Sequence, residues 1–156
     1  MNEVKFLFNS NEGETKIDIY HKIEIAYKED GLFCINGGGG FCLYLGESYI
    51  NIGIDGNNKR VENFGGLFNL KETKNASIEL PKKVVKGLLY VNSEKEFKDG
   101  FATRIVFSEK RLYDIKNKVL QIGEYDPNKL SLQFFKNAYA QLSKDGVLEG
   151  IIITGI

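Results

Sequence analysis

A twelve-residue run, Lys16-Ile17-Asp18-Ile19-Tyr20-His21-Lys22-Ile23-Glu24-Ile25-Ala26-Tyr27, sets the strongest limit on how this chain can fold. Ile17, Ile19, Ile23, Ile25 and Tyr27 are apolar, and Lys16, Asp18, Lys22 and Glu24 alternate with them. A period of two predicts one long, half-buried β-strand with the isoleucines on a single face. Burying an isoleucine fully is worth roughly 1.5–3 kcal/mol, so four on one face hold the register against a one-residue slip. His21, the only histidine, falls on the apolar face, and Tyr20 on the polar face opposite.

The rest of the chain reads as short strands between turn signals. Val4 to Phe8 is a first strand, and the long strand stops at Glu29-Asp30-Gly31, where Asp-Gly favours a tight turn. Leu32 to Ile35 and Phe41 to Leu45 flank Asn36-Gly37-Gly38-Gly39-Gly40, which predicts two hairpin arms with a glycine tip. Ile50, Ile52 and Ile54 alternate up to Asp55-Gly56-Asn57-Asn58, and Arg60 to Leu70 reads as a strand interrupted by Gly65-Gly66. Leu88 to Val91, Phe101 to Phe107, and a pair of arms around Lys116-Asn117-Lys118 follow. Gly31-Leu32-Phe33, Gly66-Leu67-Phe68 and Gly87-Leu88-Leu89 each begin an apolar run at uneven spacing, which is turn-to-strand grammar rather than a solenoid repeat.

The last thirty residues change period. Leu132, Phe135, Ala138, Tyr139 and Leu142 are three and four apart, which predicts an amphipathic helix opened near Asp126-Pro127 or Ser131 and closed by Asp145-Gly146. Val147 to Ile153 is then a buried strand. The expected fold class is α+β: one domain over residues 1–156, a predominantly antiparallel curved sheet or incomplete barrel, and one C-terminal amphipathic helix packed on it.

Composition narrows the function classes. Twenty-one basic and 21 acidic residues cancel, whereas nucleic-acid binders and proteins held on anionic membranes carry a basic excess, so neither partner is expected. No run approaches the ~18 apolar residues of a membrane span, and the N-terminus lacks an apolar signal core. Two cysteines among 156 residues suit a reducing compartment, so the expected location is cytoplasmic.

Candidate chemistry is sparse. A histidine-based mechanism has to pass through His21, a weak catalytic candidate. It needs a nucleophile such as Cys34, Cys42 or a serine, and a third group to orient the ring. The plainer role is a partly buried sheet histidine with one nitrogen satisfied. Cys34 and Cys42 would face each other across the hairpin if its arms pair about Gly38, within reach of a disulfide or simply as small buried hydrophobes. A zinc site lacks two further ligands, and no cofactor is implied. The glycines fail as a phosphate loop because strand residues follow them. Lys82, Lys83 and Lys86 read as lysines protecting a sheet edge. Tyr20, Tyr44 and the tip at Gly38 and Gly39 are the expected binding elements, because exposed tyrosine and a mobile loop suit a contact surface. The expected function is a protein-interaction module: an inhibitor, an immunity-type partner, an accessory subunit or a homo-oligomer. A β-rich binder of a small apolar ligand stands second and an enzyme using His21 third.

Overall fold

A computed structural model describes residues 4–11, 13, 17, 19, 21–34, 40–93, 97–98 and 100–156 of the chain. Its strands form three sheets, none closed. The smallest pairs β1 (Phe6–Asn9) with β9 (Leu88–Val91), antiparallel. A six-stranded sheet contains β2 (Ala26–Lys28), β3 (Gly31–Cys34), β4 (Phe41–Leu45), β5 (Asn51–Ile54), β6 (Val61–Leu67) and β10 (Ala102–Ile105), in the order β10-β4-β5-β6-β3-β2. A seven-stranded sheet contains β7 (Lys74–Asn75), β8 (Lys83–Lys86), β11 (Arg111–Asp114), β12 (Val119–Gly123), β13 (Leu130–Phe135), β14 (Ala138–Leu142) and β15 (Leu148–Thr154), in the order β7-β11-β12-β15-β14-β13-β8. Both large sheets are mixed: β10 lies parallel to β4, β7 to β11 and β8 to β13, and the other pairs are antiparallel.

The α+β expectation is overturned, because the fold is almost entirely β. In place of the C-terminal helix stands the hairpin β13–β14, turned at Lys136-Asn137. The two-residue turn shifts the phase of the alternation, and a register shift between Gln133 and Phe135 shifts it again. Apolar positions from two strands therefore fall three and four apart and imitate a helical stripe. Ser131 to Phe135 are all buried, so this strand has no polar face to reveal a period of two.

The long N-terminal strand is also overturned. Ile17 N donates to Gly13 O at 3.1 Å and His21 N to Ile17 O at 3.0 Å, the bonds of an α-helical turn. Residues two apart on a helix diverge by about 200°, so Ile17 packs against the core while Ile19 is exposed. Among the described residues of the predicted strand, sheet begins only at Ala26, with β2 running to Lys28. β3 and β4 likewise do not form a hairpin: β6 and β5 lie between them. Three strand spacings are about 14 Å, so Cys34 and Cys42 cannot bridge, and both are free thiols.

Other turns follow the sequence. Asp55 ends β5 and its carboxylate accepts from Asn57 N and Asn58 N, turning the chain into β6. Between β2 and β3 the turn residues are Glu29 and Asp30, at φ 53° and 58°, with Gly31 already in the strand. Val84 is exposed on β8, an edge strand bounded by Lys83 and Lys86.

One buried cluster joins the sheets. Leu43, Ile52 and Phe64 come from the six-stranded sheet, Leu120, Ile151 and Ile153 from the seven-stranded one, and Phe6 and Leu89 from the small one. The opposite face of the seven-stranded sheet is covered too. Val119 and Ile152 point there and bury Ile78. Residues 76–82 cross this face from β7 at one edge to β8 at the other. The eight steps from Asn75 to Lys83 reach at most about 26–29 Å, and six strand spacings are about 29 Å, so the strap runs nearly fully extended. Ile78 N donates to the Asp114 carboxylate at 3.0 Å, Tyr125 OH to Glu79 O at 2.7 Å, and Lys82 N to Pro127 O at 3.0 Å.

Candidate functional site

Among the described residues, no such strap covers the outer face of the six-stranded sheet. Side chains alternate along its strands: Leu43, Leu45, Ile52 and Phe64 point into the core, so Tyr44, Asn51, Asn63 and Gly65 point out. The register sets Arg104, Tyr44, Asn51, Gly65, Phe33 and Ala26 side by side in one row across all six strands. The next row along carries Lys28, Gly31 and Leu67. The first two glycine-led triplets are thus antiparallel neighbours, with Gly31 opposite Leu67 and Leu32 opposite Gly66, while the third enters β9 of the small sheet.

Glycines at 31, 53 and 65 put no side chain on this face. Gly66, at φ 125°, lies so close to the Tyr49 carbonyl that an added Cβ would collide with it. The approach seats the turn carrying Tyr49 against the end of β6, beside Leu67. Leu67 is 67% exposed, Tyr49 63% and Phe33 48%. Cations border the rings: Lys28 Nζ lies 5.1 Å from the Phe33 centroid, and the Arg104 guanidinium 5.2 Å from that of Tyr44. Arg104 also donates to Gly46 O and Ser48 O, both at 2.8 Å, which fixes Tyr44 and the following turn together. The result is an apolar group of Phe33, Leu67 and Tyr49 edged by Lys28, with Asn51 and Gly65 standing between Phe33 and Tyr44 and Arg104 beyond Tyr44.

At the Leu67 end the face runs into an open cleft of about 470 Å³ lined by Asp30, Tyr49, Leu67, Phe68, Glu109 and Arg111. Arg111 donates to Ser108 O and Lys110 O at 2.8 Å and stands 3.7 Å from the Glu109 carboxylate. Burial pushes the Arg111 pKa down, and the adjacent Glu109 opposes that shift. Glu109 in turn accepts from Glu47 N at 2.9 Å. The cleft offers a mixed-charge floor under an apolar lip.

Of the residues singled out in the sequence, Tyr44 lies on the outer face, while Tyr20, Gly38 and Gly39 lie outside the described residues. His21 belongs to neither the face nor the cleft. It is half-buried, with Nε2 3.0 Å from Gly87 O, and ties its helical turn to the segment before β9. Its Nδ1 is buried without a hydrogen-bond partner among the described residues. Cys42 is on the outer face; Cys34 points inward, where burial pushes its thiol pKa up to about 11. Among the described residues no group of three or more His, Cys, Asp or Glu side chains is placed to hold a metal ion. No helix among them is long and apolar enough to cross a membrane.

Tyr49 is, like Tyr44, one of the strand-region tyrosines that the sequence offers as contact area, whereas Phe33, Leu67 and Arg104 escaped sequence reasoning. The one signal for Phe33 and Leu67 was the recurring Gly-Leu-Phe triplet, whose partners meet only once the sheet order is known. No protein-family model matches the chain, and no curated protein matches it.

Proposed function

We propose that this chain is a non-catalytic protein-interaction module, of the inhibitor, immunity or accessory-subunit kind, that holds its partner on the outer face of the six-stranded sheet. The observation that carries the reading is the exposed group of Phe33, Leu67 and Tyr49, with the half-buried Tyr44 farther along the same outer face, on a glycine-lined sheet. Contiguous apolar patches with polar rims mark interaction sites, and aromatic side chains supply much of the energy at protein interfaces. The free thiols of Cys34 and Cys42 support placing the module in the reducing cytoplasm.

A pull-down from the source cell, read by mass spectrometry for proteins and small molecules, tests the assignment. The proteins retained by the wild-type chain are lost by Phe33→Asp and Leu67→Asp and kept by Val84→Asp, which alters an exposed position on the other large sheet. Each face variant weakens the isolated complex at least tenfold, since losing an interface anchor costs about 1.4 kcal/mol or more. Equal retention by wild type and both face variants, with their circular dichroism spectra unchanged, overturns the reading. A second reading, a small-ligand binder, is favoured by the cleft beside Leu67, whose volume falls in the ~300–1,000 Å³ range of such sites. A small molecule retained by the wild type and lost on Tyr49→Ala selects it.

A further inference from the structure

The edges of the sheets differ in how they are defended. β8 carries Lys83 and Lys86, β7 is two residues long and begins with Lys74, and β2 is three residues long and ends with Lys28. Short strands and lysines are the usual protection against edge-to-edge pairing. β10 has neither. It sits in Phe101-Ala102-Thr103-Arg104-Ile105-Val106-Phe107, in which Phe101, Thr103, Ile105, Val106 and Phe107 favour strands and Arg104 carries the one charge. That charge is turned away: the Arg104 guanidinium lies over Tyr44 and donates to Gly46 O and Ser48 O. Lys98, 6.0 Å from the Phe101 centroid, precedes the strand and contributes none of its backbone.

Cys42 N donates to Phe101 O and Gly46 N donates to Ile105 O. The odd-numbered residues therefore spend their backbone groups on β4, and the N–H and C=O groups of Ala102 and Arg104 point away from the sheet. No strand among the described residues lies beyond them. Ala102 is exposed, Phe101 is 65% exposed and Val106 56%.

We propose that β10 is a homodimerisation edge, on which a second copy of this chain adds its own β10 antiparallel about a two-fold axis. The edge complements itself. With the axis at Thr103, Ala102 and Arg104 exchange backbone hydrogen bonds with Arg104 and Ala102 of the second copy, using the groups left open. The two Thr103 residues form the central non-hydrogen-bonded pair, and Phe101 stands opposite Ile105 of the other copy on the inner side. Threonine pairs and aromatic–β-branched pairs are favourable cross-strand neighbours. The chain's balanced charge adds no net repulsion between copies. A two-fold axis normal to the sheet leaves both outer faces on the same side of one twelve-stranded sheet, so the dimer presents two copies of the exposed apolar group on that side. The dimer does not depend on the interaction reading of that group.

Sedimentation equilibrium from about 1 to 200 µM tests the proposal. The expected result is a concentration-dependent mass approaching twice the 17.6 kDa of one chain. Val106→Lys restores the edge charge at an exposed position, and Ala102→Pro deletes an edge-facing N–H; both sediment as monomers with unchanged circular dichroism. Phe33→Asp remains dimeric. In a Cys42→Ser background, Thr103→Cys cross-links two chains under mild oxidation, because a non-hydrogen-bonded pair holds its Cα atoms about 4.5 Å apart. Ile115→Cys, exposed elsewhere, does not. A wild-type monomer at every concentration overturns the proposal. So does a dimer that survives Val106→Lys and, should Ala102→Pro unfold, leaves Thr103→Cys uncrosslinked.

Discussion

Asn137 does at the residue scale what a strand does elsewhere. Its buried side-chain amide accepts from Ile25 N at 2.8 Å and donates to Ile25 O at 2.8 Å and to Thr154 O at 2.7 Å. One side chain thereby pairs both backbone groups of Ile25, itself buried, although 112 residues separate them. Asn137→Ala leaves these two groups without partners in the interior, at about 1–3 kcal/mol for each one stranded, so the midpoint of urea unfolding falls by the equivalent of roughly 2–6 kcal/mol. Asn137→Asp falls further at neutral pH, because a carboxylate then faces two carbonyl oxygens. A midpoint unmoved by either change would remove the staple from the account. Asp114 makes a similar prediction through pH. Its carboxylate accepts from Ile78 N, Asn117 N and Asn117 Nδ2, and those bonds hold its pKa below the usual carboxylate value. A carboxyl group whose pKa is depressed on folding contributes stability above its unfolded pKa, near 3.9, and loses it as pH falls through the lower folded value. Unfolding midpoints from pH 7 to pH 2 should therefore drop below about pH 4 in the wild type and drop less in Asp114→Asn, which starts lower at pH 7. Parallel curves for the two proteins would mean that Asp114 does not bind the strap through its charge.

At the element scale the decisive piece is the strap. Ile78 is its single buried side chain, seated on Val119 and Ile152. Truncating a buried isoleucine to alanine costs about 2–5 kcal/mol, so Ile78→Ala should lower stability by that order. It should also open residues 76–82 to protease and hydrogen exchange before the sheet beneath them, and simultaneous exchange of strap and sheet would show that the strap is no separate unit. Nothing in Ala76 to Leu80 announces this role, because an extended segment without ladder partners leaves no periodicity. The same limit explains which elements were legible. The β5–β6 and β11–β12 hairpins could be read because turn chemistry and apolar alternation are both local to them. The helix predicted at 132–142 failed because burial on both faces erased the alternation, and a two-residue turn then spaced the survivors like a helix. The strand predicted at 16–27 failed because four isoleucines at even spacing carry no information on whether each is buried; Ile19 is not. Tyr44 was legible as an outward-facing aromatic between apolar neighbours on a strand, and it is half-buried beneath Arg104. Phe33 and Leu67 join it only through the β3–β6 pairing, which skips two strands of sequence.

Long-range pairing is the rule across the whole molecule, and it sets how the chain must fold. β1 waits for β9, β4 for β10, β7 for β11, and Ile25 for Asn137. Loop-closure entropy has to be met before such contacts return any free energy, so folding should take milliseconds to seconds, as in other β proteins of high contact order. The shared core makes a sharper prediction. Leu43, Ile52 and Phe64 of the six-stranded sheet belong to the same buried cluster as Phe134, Phe135, Ile151 and Ile153. A chain ending at Gly123 keeps every strand of the six-stranded sheet and loses β13, β14 and β15. It also loses the surface against which that sheet buries its inner face, and the Asn137 staple on Ile25. If the two large sheets are halves of one core, this shortened chain has no cooperative thermal transition, and the full-length chain unfolds in a single step seen alike by far-ultraviolet dichroism and tyrosine fluorescence. If the six-stranded sheet stands alone, the shortened chain melts cooperatively with its own midpoint, and the exposed apolar group belongs to an independent unit that can be moved to another protein.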